Sequence, residues 1–380
     1  MLEMLRAFVA FVVFVAAATA APSPRHEPKT KTHRIQDEIQ AWKEGGYPDF
    51  LQFADDSGKP VWGVVVGEQP SVRGMFKDGN PFNGDDADYS DEQLGASEDD
   101  VKFHVFTKGN NYSSVEGTQV TLDHEDFLAA GWEPALPTKI VIHGFTNSIS
   151  SPIIQLIKDA YMTHGDYNVV GVDWGVLCPN PLYVTARLNV PFVGKLVGKL
   201  MSFLIEQELA TADKLHVIGH SLGAHVAGIS AKSLNETEGQ RPARVTGLDP
   251  AWPLFIITPD TDRLSKDDGV LVDVIHSCAG LLGFPTDLGT SDFYPNGGRE
   301  QPGCGLDLTG VCAHGRSYEY FAESITKGKG YQADFCDSNS DARDGTCKGP
   351  SEGCMGDEVQ FKEQGSYYLK TDDVAPTKVC

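Results

Sequence analysis

From residue 101 onward, short apolar runs alternate with longer stretches whose apolar positions recur at helical spacing. Runs at 102–107, 139–145, 167–174, 215–219, 244–248 and 271–277 predict strands, and 152–163, 186–212 and 222–234 predict helices between them. Such alternation is the signature of a mostly parallel sheet with helices on its faces. In the long helix, Val190, Val193, Val197, Met201 and Leu204 form one stripe, which predicts a face buried in the core. An alternating segment at 359–370 closes the pattern. No internal repeat is visible, and one large domain from residue 101 to residue 380 is expected.

The first hundred residues follow other rules. Residues 1–20 carry a single Arg6, an apolar run to about Ala18 and small residues at Ala18 and Ala20, the pattern of a secretory signal cut after Ala20. The run is shorter than the ~20 residues a bilayer span needs, and no later segment could span a membrane. Residues 21–100 are polar and rich in Pro, Gly and Asp, with a short helical pattern at 34–43 and an apolar patch at 61–66. Residues 85–100 hold eight acids and no base, which reads as a solvated linker. The expectation is a largely irregular, acidic and mobile N-terminal extension resembling a propeptide.

Composition sharpens the compartment. All eight cysteines, Cys178, Cys278, Cys304, Cys312, Cys336, Cys347, Cys354 and Cys380, lie from residue 178 onward, and an even count on an exported chain favours disulfides over metal sites. Sequons at Asn111 and Asn235 fit the same compartment. With 31 Lys and Arg against 53 Asp and Glu, the net charge of −22 repels nucleic-acid phosphates and anionic lipid headgroups. Nucleic-acid binding is excluded on that ground. At 41% hydrophobic and 22% charged, with 40 Gly and 22 Pro, the chain is a turn-rich globular protein.

The chemistry concentrates in Leu215-His-Val-Ile-Gly-His-Ser-Leu-Gly-Ala-His, a predicted strand that runs through Gly219-His220-Ser221-Leu222-Gly223 into a predicted helix. A serine on so sharp a turn has a strained backbone and must stand clear of the sheet, so its neighbours must be small, as Gly219 and Gly223 are. The strand before and the helix after make Ser221 a candidate nucleophile. A hydroxyl at its ordinary pKa needs a histidine to take its proton and an acid to orient that histidine, in the chain order Ser, acid, His. Asp249 stands at the end of the next strand, and only two of the eleven histidines, His276 and His314, follow it. His276 ends a strand and reads equally well as a satisfied core histidine. His314 is expected in a loop before a helix starting near Arg316, and loop placement favours it without removing the alternative. Leu222 and Phe145 are placed to offer backbone N–H groups to an oxyanion. His143, His220 and His225 lack the spacing of a zinc helix and read as structural.

The blocks His143-Gly-Phe, Val172-Asp-Trp, Gly219-His-Ser-Leu-Gly-Ala-His, Leu248-Asp-Pro-Ala, Asp273-Val-Ile-His, Asp292-Phe-Tyr-Pro-Asn-Gly-Gly, Gln301-Pro-Gly-Cys and Cys312-Ala-His-Gly-Arg-Ser-Tyr resemble, in order from about 101 to 372, the pancreatic lipase family of secreted ester hydrolases, its insect members above all. The resemblance implies an α/β-hydrolase fold, a Ser221, Asp249 and His314 triad, and Phe145 and Leu222 as oxyanion donors, with His276 at a non-catalytic position. It implies a lid closed by Cys304–Cys312, but only seven residues, 305–311, would lie inside it, and the loop from His276 to Asp292 is also short. That departure resembles the phospholipase A1 branch. No C-terminal β-sandwich is expected, so a colipase partner is not supported. Further implied pairings are Cys178–Cys278 and Cys336–Cys347, with Cys354–Cys380 as what remains. A calcium loop of some relatives corresponds to Asp260, Arg263, Ser265 and Asp268; with Ser265 in place of a carboxylate a structural ion is weakly supported, and the chemistry needs no cofactor. The expected protein is a secreted serine hydrolase of fatty acyl esters, triacylglycerol or phospholipid, acting at a lipid interface or on micelles. The rival is a yolk-protein-like carrier that keeps the fold without turnover.

Overall fold

Short runs of Val, Ile and Leu buried on both faces form the centre of the molecule. In the computed structural model the described residues are 31–66, 96–110, 112–360, 364–372 and 379–380, with the side chains of 31–33 excepted. The expected signal at 1–20, the acidic residues 85–95 and the sequon residue Asn111 lie outside them.

The chain enters through helix α1 (Lys31–Glu44) and a hairpin of β1 (Phe50–Ala54) and β2 (Pro60–Val64). The strands of the main sheet follow as β3 (Lys102–Phe106), β4 (Thr118–Val120), β5 (Thr138–Ile142), β6 (Asn168–Asp173), β7 (Leu215–His220), β8 (Arg244–Leu248), β9 (Leu271–Ile275), β10 (Ser291–Pro295), β11 (Tyr331–Cys336), β12 (Gly353–Met355) and β13 (Gly365–Leu369). Their spatial order is β12-β11-β13-β10-β9-β8-β7-β5-β6-β3-β4. From β13 to β6 every pairing is parallel; β11 and β12 at one edge and β3 and β4 at the other run antiparallel. The helices are α2 (His124–Ala129), α3 (Pro152–His164), α4 (Tyr183–Glu206), α5 (Leu222–Glu238), α6 (Val311–Lys327) and α7 (Asn339–Asp344).

The two-residue period of a strand sends alternate side chains into two cores. Ile140, Ile142, Val217, Val245 and Val272 pack with α4 and α5, whereas Val141, Ile218, Leu248 and Ile275 pack with α3 and α6. Each such side chain contributes about 1.5–3 kcal/mol by leaving water. This is the α/β-hydrolase arrangement, with helices on both faces of a largely parallel sheet. Among the described residues, α4 alone is long and apolar enough to cross a membrane, and most of its apolar window is buried in the protein core.

Three expectations change. The long helix starts at Tyr183 and stops at Glu206 rather than spanning 186–212, because Glu208 turns into the left-handed region at φ 57°. The strands β4, β10, β11 and β12 exceed what the apolar pattern indicated, since they carry Thr, Asp, Tyr, Gly or Ser, whereas β13 lies inside the alternating segment at 359–370. Residues 31–66 are not an irregular extension: Ile35, Trp42, Leu51, Phe53 and Val65 are buried in the main core. Buried Glu38 accepts hydrogen bonds from the Ile257 N–H at 3.2 Å and from the Thr258 hydroxyl, so α1 is anchored by polar contacts as well.

Arg244 ties the sheet centre to its far edge. Its Nε and Nη2 donate to the two oxygens of buried Asp273 at 2.7 and 2.8 Å, and its remaining N–H groups reach the carbonyls of Gly356 and Asp357 at 2.7 and 2.9 Å. Burial opposes the guanidinium charge, yet Asp273 outweighs it and raises the pKa. Arg244→Met leaves the Asp273 carboxylate buried and unpaired, so the unfolding free energy measured by urea titration is expected to fall by about 3–5 kcal/mol.

Candidate active site

Ser221 sits between β7 and α5 at φ 57° and ψ −123°, a conformation costing about 1–3 kcal/mol for a residue with a Cβ. The turn closes only with glycine on either side. A Cβ on Gly219 would lie 2.0 Å from the Gly223 carbonyl oxygen, and one on Gly223 would lie 2.5 Å from the carbonyl oxygens of Ile142 and His143. The Ser221 N–H donates to the Leu248 carbonyl at 3.1 Å and its carbonyl accepts from Ala251 at 3.1 Å, so the strained residue is held to the end of β8. Leu222 follows as the first residue of α5.

At the end of β8, Asp249 is fully buried, also at positive φ (43°). One carboxylate oxygen accepts the N–H groups of Ser277 and Cys278 at 2.8 and 3.0 Å, and the other accepts His314 Nδ1–H at 2.5 Å. The approach of Gly283 is equally tight, for a Cβ there would lie 2.2 Å from the carboxylate. His314 is not in a loop: α6 begins at Val311, and the ring belongs to its first turn. Asp307 fixes that turn by accepting the Ala313 N–H at 2.8 Å. The remaining nitrogen, His314 Nε2, is buried with no hydrogen-bond partner among the described residues, and the ring shares one cleft wall with Ser221.

His276, the other candidate, is saturated. Its Nδ1–H donates to the Phe284 carbonyl at 3.0 Å and its Nε2–H to Asp292 at 2.9 Å, with the ring stacked on Tyr294. Although burial opposes protonation, the Asp292 partner raises its pKa. His220 donates Nε2–H to the His314 carbonyl at 3.1 Å and lies 4.4 Å from that ring, and burial keeps it neutral. His225 donates to the Ala251 carbonyl at 2.7 Å and is likewise kept neutral by burial. His143 donates to the Gly144 carbonyl and accepts the Trp174 N–H at 3.1 Å.

Phe145 lies just beyond the end of β5 in the cleft wall with Ser221 and His314. The wall also includes Tyr318 of α6, from the block that holds His314, and residues that no motif marked: Phe53, Ala54, Asp55 and Gly58 of the hairpin and Ile153 of α3. The hairpin had a readable signal, Asp55-Asp56-Ser57-Gly58 between two apolar runs.

Buried Ser221 and Asp249 thus follow the ends of the adjacent parallel strands β7 and β8, and buried His314 stands on the first turn of α6. The family model described as Lipase matches residues 70–377. The chain belongs to the lipase family. It is 32% identical over 306 residues to pancreatic triacylglycerol lipase of Cavia porcellus, covering 72% of this chain and 64% of that one. It is also 32% identical over 238 residues to phospholipase A1 1 of Vespa affinis, covering 60% of this chain and 70% of that protein. Among solved structures, a thermophilic carboxylesterase from a metagenomic library overlaps 30% of this chain and 38% of its own at 22% identity and a TM-score of 0.24.

Within the lipase family framework, Cys304–Cys312, Cys336–Cys347 and Cys354–Cys380 are disulfides, as expected. Cys178 and Cys278 are instead free buried thiols. The Cys178 thiol faces the Gly144 carbonyl at 3.7 Å, whereas Cys278 packs against Gly310 ahead of α6, so each is committed to a different neighbour. The Cys304–Cys312 loop carries the exposed side chains Leu306 and Leu308.

The calcium loop does not fit a divalent ion. The Lys232 ammonium donates to the Arg263 carbonyl at 2.8 Å, the Ser265 hydroxyl at 3.3 Å and the Asp268 carboxylate, while Arg263 pairs with Asp260 at 2.6 Å. The oxygens that would surround a cation already surround one supplied by α5. Burial raises the pKa of Asp268 and lowers that of Lys232, and each partner opposes the other's shift. Lys232→Met strands the buried carboxylate and is expected to lower the unfolding free energy by about 3 kcal/mol. Scanning calorimetry with and without EDTA checks the corollary, an unchanged wild-type melting temperature.

Proposed function

We propose that this protein is a secreted serine hydrolase of fatty acyl esters in lipids, with Ser221 as nucleophile, His314 as base and acid, and Asp249 as the group that orients it. The observation that carries the reading is the His314 ring, tied through Nδ1–H to a buried carboxylate while Nε2 is unpartnered in the wall that also holds Ser221. That bond selects the tautomer in which Nε2 is the lone-pair nitrogen. The Ser221 oxygen adds to the ester carbonyl as its proton passes to Nε2, and the imidazolium forms beside the Asp249 charge. The proton then passes to the departing alcohol as the carbon–oxygen bond breaks, leaving an acyl-serine. Water repeats the sequence and releases the fatty acid. The N–H groups of Phe145 and Leu222 receive the oxyanion, each contributing about 2.7–4 kcal/mol to the transition state.

Two features support a phospholipase A1 type of preference. The loop inside Cys304–Cys312 is short, so little covers the cleft, and phospholipase A1 proteins are among the relatives alongside triacylglycerol lipases. Three disulfides support export.

Ser221→Ala is expected to lower kcat by about 10⁶ with the fold intact and to abolish labelling by a fluorophosphonate. A wild-type chain that resists the label and turns over no ester is the carrier instead. Phosphatidylcholine beside a triacylglycerol emulsion separates the substrates: release of the sn-1 chain from phosphatidylcholine is expected, and strong preference for the emulsion overturns the short-lid argument.

A further inference from the structure

The hairpin of β1 and β2 precedes the matched segment 70–377, yet it closes one side of the cleft and grips the loop that follows β5. Phe53 meets Phe145 edge-on at 4.9 Å and stacks on Tyr183 at 5.3 Å. Across the hairpin, Gly63 permits that contact, since a Cβ there would lie 2.6 Å from the Phe53 ring and 2.8 Å from the Phe145 ring. The Ala54 carbonyl accepts from the Thr146 hydroxyl at 2.8 Å and from Asn147 Nδ2 at 3.1 Å. The Asp56 carboxylate accepts the Ser148 N–H at 2.9 Å, the Ser148 hydroxyl at 2.5 Å and the Ser150 hydroxyl at 3.1 Å. The turn is preformed, because Asp55 accepts the N–H groups of Ser57 and Lys59 at 2.9 Å.

The gripped loop is strained where it matters. Thr146, directly after Phe145, has φ 65°, a region that a β-branched residue enters only when its surroundings over-determine it. Here many of those restraints come from a segment more than eighty residues earlier in the chain.

We propose that the hairpin is a positioning clamp, with Asp56 as its positioning residue: by holding residues 146–150 it fixes the direction in which Phe145 presents its N–H to the cleft. The proposal rests on the reading of Ser221 as nucleophile and of Phe145 as an oxyanion donor. A donor aimed at the oxyanion acts on the transition state more than on the bound ester, so the clamp controls kcat and leaves KM nearly alone. A hairpin that served only as a wall for the acyl chain would do the reverse.

The test uses the full chain and a soluble short-chain p-nitrophenyl ester. Asp56→Ala is expected to lower kcat about 10- to 100-fold with KM changed less than about threefold. Its affinity for an alkyl trifluoromethyl ketone, whose hemiketal oxygen occupies the oxyanion position, falls by the same factor as kcat/KM. Asp56→Asn keeps an acceptor for the Ser148 N–H and offers its amide to the hydroxyls, so it returns kcat to within about threefold of wild type. If Asp56→Ala does not fold, Ser148→Ala removes one bond of the set and is expected to show the same split at roughly a threefold to tenfold loss. Unchanged or increased kcat in the variant that folds, a loss confined to KM, or an Asp56→Asn as impaired as Asp56→Ala overturns the clamp. Failure of the wild-type chain to react with a fluorophosphonate overturns the hydrolase reading beneath it, whereas a reactive wild type with an unaffected Asp56→Ala overturns the clamp alone.

Discussion

A carboxylate with no access to water must be given its hydrogen bonds by the protein, and Asp249 is such a group. Its partners come from the segment after β9, through the Ser277 and Cys278 N–H groups, and from the first turn of α6, through His314. Gly283 packs against its third side. Satisfying one buried charge therefore brings into register three parts of the chain that are distant in sequence, and α6 is held at the angle that places His314 in the cleft. The Asp307 contact to the Ala313 N–H and the disulfide between Cys304 and Cys312 brace the same turn from outside.

Strain is concentrated on the same edge of the sheet. The adjacent strands β5, β7 and β8 lead into Thr146, Ser221 and Asp249, each a residue with a Cβ at positive φ. Parallel strands deliver all three to one rim, which is where open α/β sheets bind their ligands. Each conformation is unfavourable alone, so each needs independent restraint: the glycines and the β8 carbonyl for Ser221, the backbone N–H groups for Asp249, and the hairpin for Thr146. The rigid core under α4 and α5 supplies the energy that this rim costs.

The strands β5 to β9 were legible because burial on both faces demands apolar side chains at most positions. The serine elbow was legible because its geometry demands glycine at 219 and 223, and those demands survive as letters in the sequence. In the N-terminal segment the short helix at 34–43 was legible, but its docking into the core and that of the hairpin were not. The helix and hairpin bury only about one residue in three or four, Ile35, Trp42, Leu51 and Phe53 among them, within a stretch whose average composition is polar and acidic. Such a segment is ordered by what it packs against and not by its own periodicity. The lysine that occupies the calcium loop was equally hidden, since Lys232 lies 36 residues upstream of Asp268 on α5 and only the fold brings the two together.

The two late histidines show how little residue type decides. Both His276 and His314 follow Asp249, and both donate to a buried carboxylate. His276 spends its second nitrogen on the Phe284 carbonyl, so both nitrogens act as donors, and the ring is stabilised as a cation between Asp292 and Tyr294. His314 spends only Nδ1. Its Nε2 has a lone pair and no partner, in a cleft lined by a serine whose backbone is held away from the sheet. A histidine can exchange a proton with a substrate only if one of its nitrogens has been left out of the protein's own hydrogen bonding. The distinction between the two is a matter of counting donors and acceptors in three dimensions, and it assigns the reactive position to the one ring of the pair whose count is incomplete.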